Sequence, residues 1–300
     1  MSFLLSGTRG DAIPDSVVAY GGDDDNTYVH GVSDGSLVQT LTESGGTVRG
    51  VALSDEYVAY GGDDDNTYVH DVSDGSLVQT LTESGSIVQD VALSDTHVAY
   101  GEGFDGDDNT YVHDVSDGSL VYTLTESGGS VAGVSLSDTH VAYGGRDANT
   151  YVHDLSDGSL VQTLTEAGDR VSDVSLSDTH VAYGEGFGGD DNTYVHDLSD
   201  GSLVQTLTES GDRVQGVALS DTHVAYGGFD NNTYVHDVSD GSLVQTLTES
   251  GGSVQGVALS DEYVAYGGDD DNTYVHDVSD GSLVQTLTES GGSVQGVALL

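Results

Sequence analysis

Short apolar bursts alternate with small polar breaks along the whole of this chain. In residues 48–86 the bursts are VRGVALS, EYVAYGG, NTYVHDV and SLVQTLTES, all rich in Val, Leu, Tyr and Thr. Such segments favour the pleated, half-buried surface of a strand. The breaks SDE, GGDDD, SDG and ESGS are made of the Gly, Asp and Ser that form tight turns and tolerate positive backbone angles. The pattern therefore predicts four strands in this stretch. Helix is disfavoured, because no segment keeps apolar residues at three-to-four spacing and Gly recurs throughout.

The same stretch is repeated. YVH recurs at Tyr28, Tyr68, Tyr111, Tyr151, Tyr194, Tyr234 and Tyr274, at spacings of 40, 43, 40, 43, 40 and 40 residues. A repeat running through the chain argues for one closed or stacked array rather than several domains. A unit of about 40 residues with four antiparallel strands is the size of a propeller blade, and seven of them close into a ring that leaves no long unpaired edge. The expectation is an all-β, seven-bladed β-propeller of four-stranded antiparallel blades over residues 17–300, preceded by an irregular segment, 1–16. Near-continuous apolar runs such as YVAYG suit blades covered on both faces by their neighbours. A β-helix, suggested by GGDDDNTYV, would repeat about every nine residues instead.

The ends of the chain predict how the ring closes. The pattern starts with a second strand, VVAYG from Val17, and stops after a lone first strand, VQGVALL, Val294 to Leu300. Pairing the two builds blade 1 from residues 17–43 plus 294–300 and locks the ring. The competitor for that slot is Phe3-Leu4-Leu5-Ser6, which mimics VALS but would leave the C-terminal strand redundant.

The run VALSDEYVAYGGDDDNTYVHDVSDGSLVQTLTESG resembles a blade of the WD-repeat family: a strand ending in Ser, one ending in Gly, an Asp-containing hairpin, a strand ending in Asp, then a Gly turn and a Leu-rich strand. The resemblance covers residues 17–300 and implies a propeller that serves as a platform for partners. The sequence departs from the family in having His where Trp precedes the closing Asp (His70 before Asp71, His276 before Asp277) and in lacking the Gly-His pair. It also has Gly31 where the first closing Asp would stand. The family's buried hydrogen-bond tetrad is therefore not carried over.

Charge adds a solvent requirement. Against 52 acids stand five bases, all arginine (Arg9, Arg49, Arg146, Arg170, Arg213), for a formal charge of -47. At about 1 M salt the screening length falls to roughly 3 Å and the self-repulsion largely vanishes. The composition resembles that of salt-accumulating haloarchaea and implies high K+ or Na+ for stability. An acidic disordered protein is excluded, because the acids alternate with Val, Leu and Tyr at strand spacing. Nucleic acid is excluded as a partner by like charge. The chain has no cysteine, hence no disulfide, thiol catalysis or zinc-thiolate site. No apolar run approaches the roughly 18 residues of a membrane span, and the start lacks the features of a secretion signal. The expectation is a cytoplasmic, membrane-free monomer.

The polar residues that recur in every blade do not compose an active site. The YVH histidines fall one per blade on the third strand, too dispersed for one metal ion, and are expected to be packed or hydrogen-bonded between blades. Asp-rich hairpins such as Asp63-Asp64-Asp65 and Asp269-Asp270-Asp271 have carboxylates enough for Ca²⁺ but not the ordered spacing of a calcium hand. Asp90 and Asp173 interrupt the Gly of the innermost strands (Gly50, Gly133, Gly216, Gly256, Gly296) and are expected to line the channel. No catalytic residue, metal or cofactor is assigned, because an active site needs a unique asymmetric constellation.

Asymmetry is concentrated in one hairpin. Blades 3 to 6 read GEGFDGDDN, GGRDAN, GEGFGGDDN and GGFDNN there, which places Phe104, Arg146, Phe187 and Phe229 on one arc. Arg170 and Arg213, in turns on the same side, join them. Aromatic and arginine side chains dominate interface energy, so these six residues form the expected binding site for a protein or peptide. A second reading is a small-ligand or cation binder in the channel or the Asp-rich loops. A third is an amplified array without a fixed partner, since duplication of a unit of 43 plus 40 residues would produce the same pattern.

Overall fold

The computed structural model describes residues 16–103, 108–186 and 191–300. Phe3-Leu4-Leu5-Ser6 and the rest of segment 1–15 lie outside the described residues.

The described residues form seven four-stranded antiparallel sheets. In blade 2 the order from the axis outward is Val48–Leu53, Tyr57–Gly62, Thr67–Asp71 and Leu77–Leu81. Each strand is an apolar burst of the repeat, and each break is a turn. The Asp hairpin turns through a positive φ of 65° at Asp65, and the SDG break through 70° at Gly75. The innermost strands are packed side by side in a ring, including Val294–Leu299 beside Val48–Leu53.

Blade 1 is built from both ends of the chain. Val294–Leu299 pairs antiparallel with Val17–Gly22, in the register Ala298 to Ala19 and Val297 to Tyr20, and Leu300 N donates to Val17 O at 3.0 Å. At this join the Gln285 amide donates to Val32 O at 3.1 Å, so an outermost strand of blade 7 is tied to blade 1. Gln79 makes the corresponding bond to Val115 O, and Tyr122, in the Gln position of blade 3, donates to Leu155 O at 3.1 Å. The seven-bladed propeller with C-terminal closure is thus present as the sequence predicts.

The core is a set of layers between blades. Ala19, Val29 and Leu41 of blade 1 face Val58, Tyr60 and Val72 of blade 2, and equivalent sets fill the other joints. The second strands are buried on both faces, as their apolar runs imply. The outermost strands differ, with Leu37 half exposed and Val78 partly so. Radially arranged blades diverge with distance from the axis, so the last strand is no longer covered on both sides. No helix long and apolar enough to cross a membrane occurs among the described residues.

The histidines expected to be hydrogen-bonded between blades are the hubs of a repeated relay. In blade 2 the Tyr60 hydroxyl donates to Glu43 Oε2 at 2.9 Å and lies 3.1 Å from His70 Nε2. His70 Nδ1 lies 3.0 Å from Gly75 O, which only accepts, so Nδ1 is the protonated nitrogen at that contact. Glu43 belongs to the turn leaving blade 1, so the relay ties two blades together. Burial drives Tyr60 far above the usual tyrosine range, and Glu43 reinforces the shift. For Glu43, burial acts upward, but the Tyr60 hydroxyl, His70 and backbone amides together hold the carboxyl below its ordinary value. The same Glu, Tyr and His meet in every blade, from Glu289, Tyr20 and His30 to Glu249, Tyr266 and His276.

Candidate functional site

A channel of about 360 Å³ follows the axis, bounded by the innermost strands. These strands approach so closely that a Cβ on Gly50 would lie 2.5 Å from Val91 N, which is why Gly dominates this row. Asp90 and Asp173 occupy the row in blades 3 and 5 and line the channel. Their carboxylates grip the neighbouring blade. Asp90 Oδ1 accepts from Val91 N at 2.9 Å and Oδ2 from Val134 N at 2.8 Å. Asp173 accepts from Val174 N at 2.8 Å and Val217 N at 2.7 Å. Burial pushes Asp90 up to about 7 against the pull of those amides. Asp173 is pushed well above the carboxylate range by burial and by the charge of Asp90.

The hairpin side of the channel widens into a mouth of about 440 Å³. Its inner wall is set by a β-bulge in every innermost strand. In blade 2, Val48 pairs with Gly62 and Gly50 with Gly61, so Arg49 has no partner and is turned out of the ladder. The bulge residues around the ring are Gln295, Arg49, Gln89, Ala132, Ser172, Gln215 and Gln255. All of them line the mouth. Nothing in the strand pattern of the sequence marks this row. Its signal was Arg49, the one base in that register, where the other large residues are Gln.

The rim is formed by the first residue of each hairpin, fixed by a backbone bond to the turn before the innermost strand: Asp63 N to Thr47 O, Arg146 N to Ser130 O, Phe229 N to Arg213 O. In blades 7, 1 and 2 this residue is an aspartate held by the bulge residue of its own blade. Gln295 Nε2 donates to Asp23 Oδ1 at 3.0 Å, Arg49 Nε to Asp63, and Gln255 Nε2 to Asp269. In blades 4, 5 and 6 the rim position holds Arg146, Gly186 and Phe229 instead.

Of the six residues expected to bind a partner, Arg146, Arg170 and Phe229 line this one mouth. The Arg213 guanidinium lies 5.2 Å from the centre of the Phe229 ring. Phe104 and Phe187 lie outside the described residues. Asp90 and Asp173 belong to the channel wall below, not to the mouth.

The second carboxylate of the hairpin has local partners. Asp64 Oδ2 accepts from the Tyr68 hydroxyl at 2.7 Å and from Gly45 N at 2.8 Å. In blade 3 the lengthened hairpin uses the buried Glu102, whose Oε1 accepts from Gly85 N at 2.7 Å in place of that aspartate. Among the described residues no three His, Asp or Glu side chains gather as a metal site. The opposite mouth is edged by Asp55, Asp95, Asp138 and Asp178 with their preceding serines, so the two ends of the channel differ in charge.

This architecture defines the class as a seven-bladed β-propeller. No protein-family profile matches the chain, and no curated protein is significantly similar to it in sequence.

Proposed function

We propose that this propeller is a non-catalytic, WD-repeat-like scaffold of a salt-rich cytoplasm, which binds a protein or peptide at the hairpin-bearing mouth of its channel. The observation that carries the reading is the position of its cations. In a chain of charge -47 without lysine, Arg49, Arg146 and Arg170 line one mouth and Arg213 stacks beside it on Phe229. Clustered arginine with an aromatic side chain 42% exposed is the composition of a binding hot spot. The non-catalytic reading is supported by the use of the YVH histidine, with its Tyr and Glu, in the same tie between blades around the ring.

The test is selection of a displayed peptide library against the whole chain at molar KCl, followed by measurement of the selected peptides on variants. Phe229→Asp and Arg146→Asp should abolish binding, and Asp95→Asn with Asp138→Asn on the opposite mouth should leave it intact. Binding that survives the first pair of changes overturns the reading.

A further inference from the structure

The seven joints are not tied alike at the axis. Asp90 of blade 3 accepts from Val134 N, Ser135 of blade 4 accepts from Leu176 N at 3.0 Å, and blade 5 reaches Val217 N through Asp173 and Leu219 N through Ser175. Side chains therefore staple blades 3, 4, 5 and 6 to one another. From blade 6 through 7, 1 and 2 to blade 3 the same two positions hold Gly216 and Ala218, Gly256 and Ala258, Gly296 and Ala298, and Gly50 and Ala52, which have no polar group to offer. The join between the two ends of the chain lies in this unstapled arc.

The strand that closes the join is not unique. Val294–Leu299 reads VQGVAL, as do Val254–Leu259 of blade 7 and Val214–Leu219 of blade 6. It sets Val297 opposite Tyr20 and Ala298 opposite Ala19, the register in which blade 7 sets Val257 opposite Tyr266 and Ala258 opposite Ala265. This pairing does not distinguish the chain's own strand from that of another copy. Each innermost strand also reaches its blade from the outermost strand of the blade before it, through six residues such as 288–293. Every copy thus has one strand to give and one blade that needs one.

We infer that blade 1 is a strand receptor: when the ring opens in its unstapled arc, the edge Val17–Gly22 takes Val294–Leu299 from a second copy of this chain, so that two copies exchange strands. Terminal elements open first by local unfolding, and exchange of an identical element needs no new complementary surface. Main-chain hydrogen bonds along the edge supply affinity, while Val294 and Val297 pack with Val18, Tyr20 and Ala258. Gly296 restricts the choice of strand, because a Cβ there would lie 2.8 Å from Arg49 O. Delivery from another copy is geometrically direct. Leu287 pairs beside the hairpin of blade 7 and Val294 beside that of blade 1, so both ends of 288–293 lie on the hairpin-bearing face, and six extended residues reach roughly 20 Å toward a copy stacked there. At molar salt the repulsion between two acidic copies is screened within roughly 3 Å.

The experiment uses full chains at molar KCl. Lysine is absent, so amine-reactive dyes mark the N-terminus alone. Donor- and acceptor-labelled pools are mixed at about 100 µM, not far below the millimolar effective concentration of a tethered strand, then warmed through the melting transition and cooled. The expected result is energy transfer in a dimer fraction, suppressed at least about tenfold more by excess unlabelled peptide 288–300 than by that peptide with Gly296→Val. In addition, the full chain with Gly296→Val, whose own strand cannot seat, should bind fluorescein-labelled peptide 288–300 at least about tenfold tighter than the unaltered chain, whose slot is filled. Absence of transfer between the unaltered pools overturns the inference. Transfer that the two peptides affect equally overturns it as well, since association then uses another surface, and so does equal peptide binding by both chains. If circular dichroism shows that the Gly296→Val chain has lost its sheet, the unaltered pools decide the matter alone.

Discussion

The joints between blades and the mouth of the channel are built from the same repeat, yet one is uniform and the other is not. Every joint carries a Glu, a Tyr and a His in one geometry, with the Tyr and His rings stacked 5.5–5.6 Å apart. At the rim of the mouth the corresponding residues run Asp23, Asp63, Gly103, Arg146, Gly186, Phe229 and Asp269. A joint must match its neighbours on both sides, so a change there leaves a void or a buried polar group without its partner. The rim residues that carry side chains, Asp23, Asp63, Arg146, Phe229 and Asp269, are exposed to water and meet no such constraint. Uniformity therefore marks what holds the ring together, and variation marks where the ring is free to acquire specificity.

The largest expected effect comes from opening a joint outright. Removal of residues 294–300 takes the innermost strand from blade 1 and uncovers both Val17–Gly22 and the joint to blade 2. Loss of a single cooperative thermal transition is the expected outcome, and a truncated chain that melts as sharply as the full one would show that closure is dispensable.

Next in size is Tyr143→Ala, which removes a fully buried ring together with its bonds to Glu126 and His153. Truncation of a large core aromatic costs about 3–5 kcal/mol. Urea denaturation at molar KCl measures it. By contrast, Arg146→Gln and Arg170→Gln should change stability by no more than about 0.5 kcal/mol, the usual span for surface positions.

The pH dependence of stability separates the joints from the channel wall. Glu43, Glu126, Glu249 and Glu289 have carboxyls held below their ordinary value in the fold, so the stability they contribute is complete above the usual glutamate range and is lost as pH falls through it. Asp90, pushed up to about 7, and Asp173, raised with it, work in the opposite direction. Their ionisation is disfavoured in the fold, so stability declines as pH rises from about 4 toward 7. Replacing both by the Gly of the other blades should flatten that decline without altering the acid limb, as followed by melting temperature against pH at fixed molar salt.

The smallest expected effect tests the turn chemistry of one hairpin. Ala148 has a φ of 64° where other blades place Asp or Asn, residues that tolerate the left-handed region better. Ala148→Asn should stabilise the chain by about 0.5 kcal/mol, detectable in the same denaturation experiment.

The repeat, its four strands, the count of blades and the closing role of Val294–Leu299 were legible in the sequence, because strand and turn chemistry are local and the register of a closed ring leaves few alternatives. The arc formed by Arg146, Arg170, Arg213 and Phe229 was legible from its departure from the repeat. The bulge row was not, since Arg49 and Gln255 look like ordinary alternating strand positions until the ladder shifts past them. Nor was the pairing of Glu43 with Tyr60 and His70, whose members come from different turns and strands and meet only when two blades pack.

What the linear order of residues determined is the blade, because each segment's preference for strand or turn is satisfied within some 40 residues. What the closed ring alone decided is where unlike blades bring their exceptions: Asp90 onto Val134 of the next blade, and Arg49, Arg146 and Arg170 to one mouth. Residues about a hundred positions apart become neighbours there because seven equivalent modules share one axis, and only closure around that axis fixes which side chains face it.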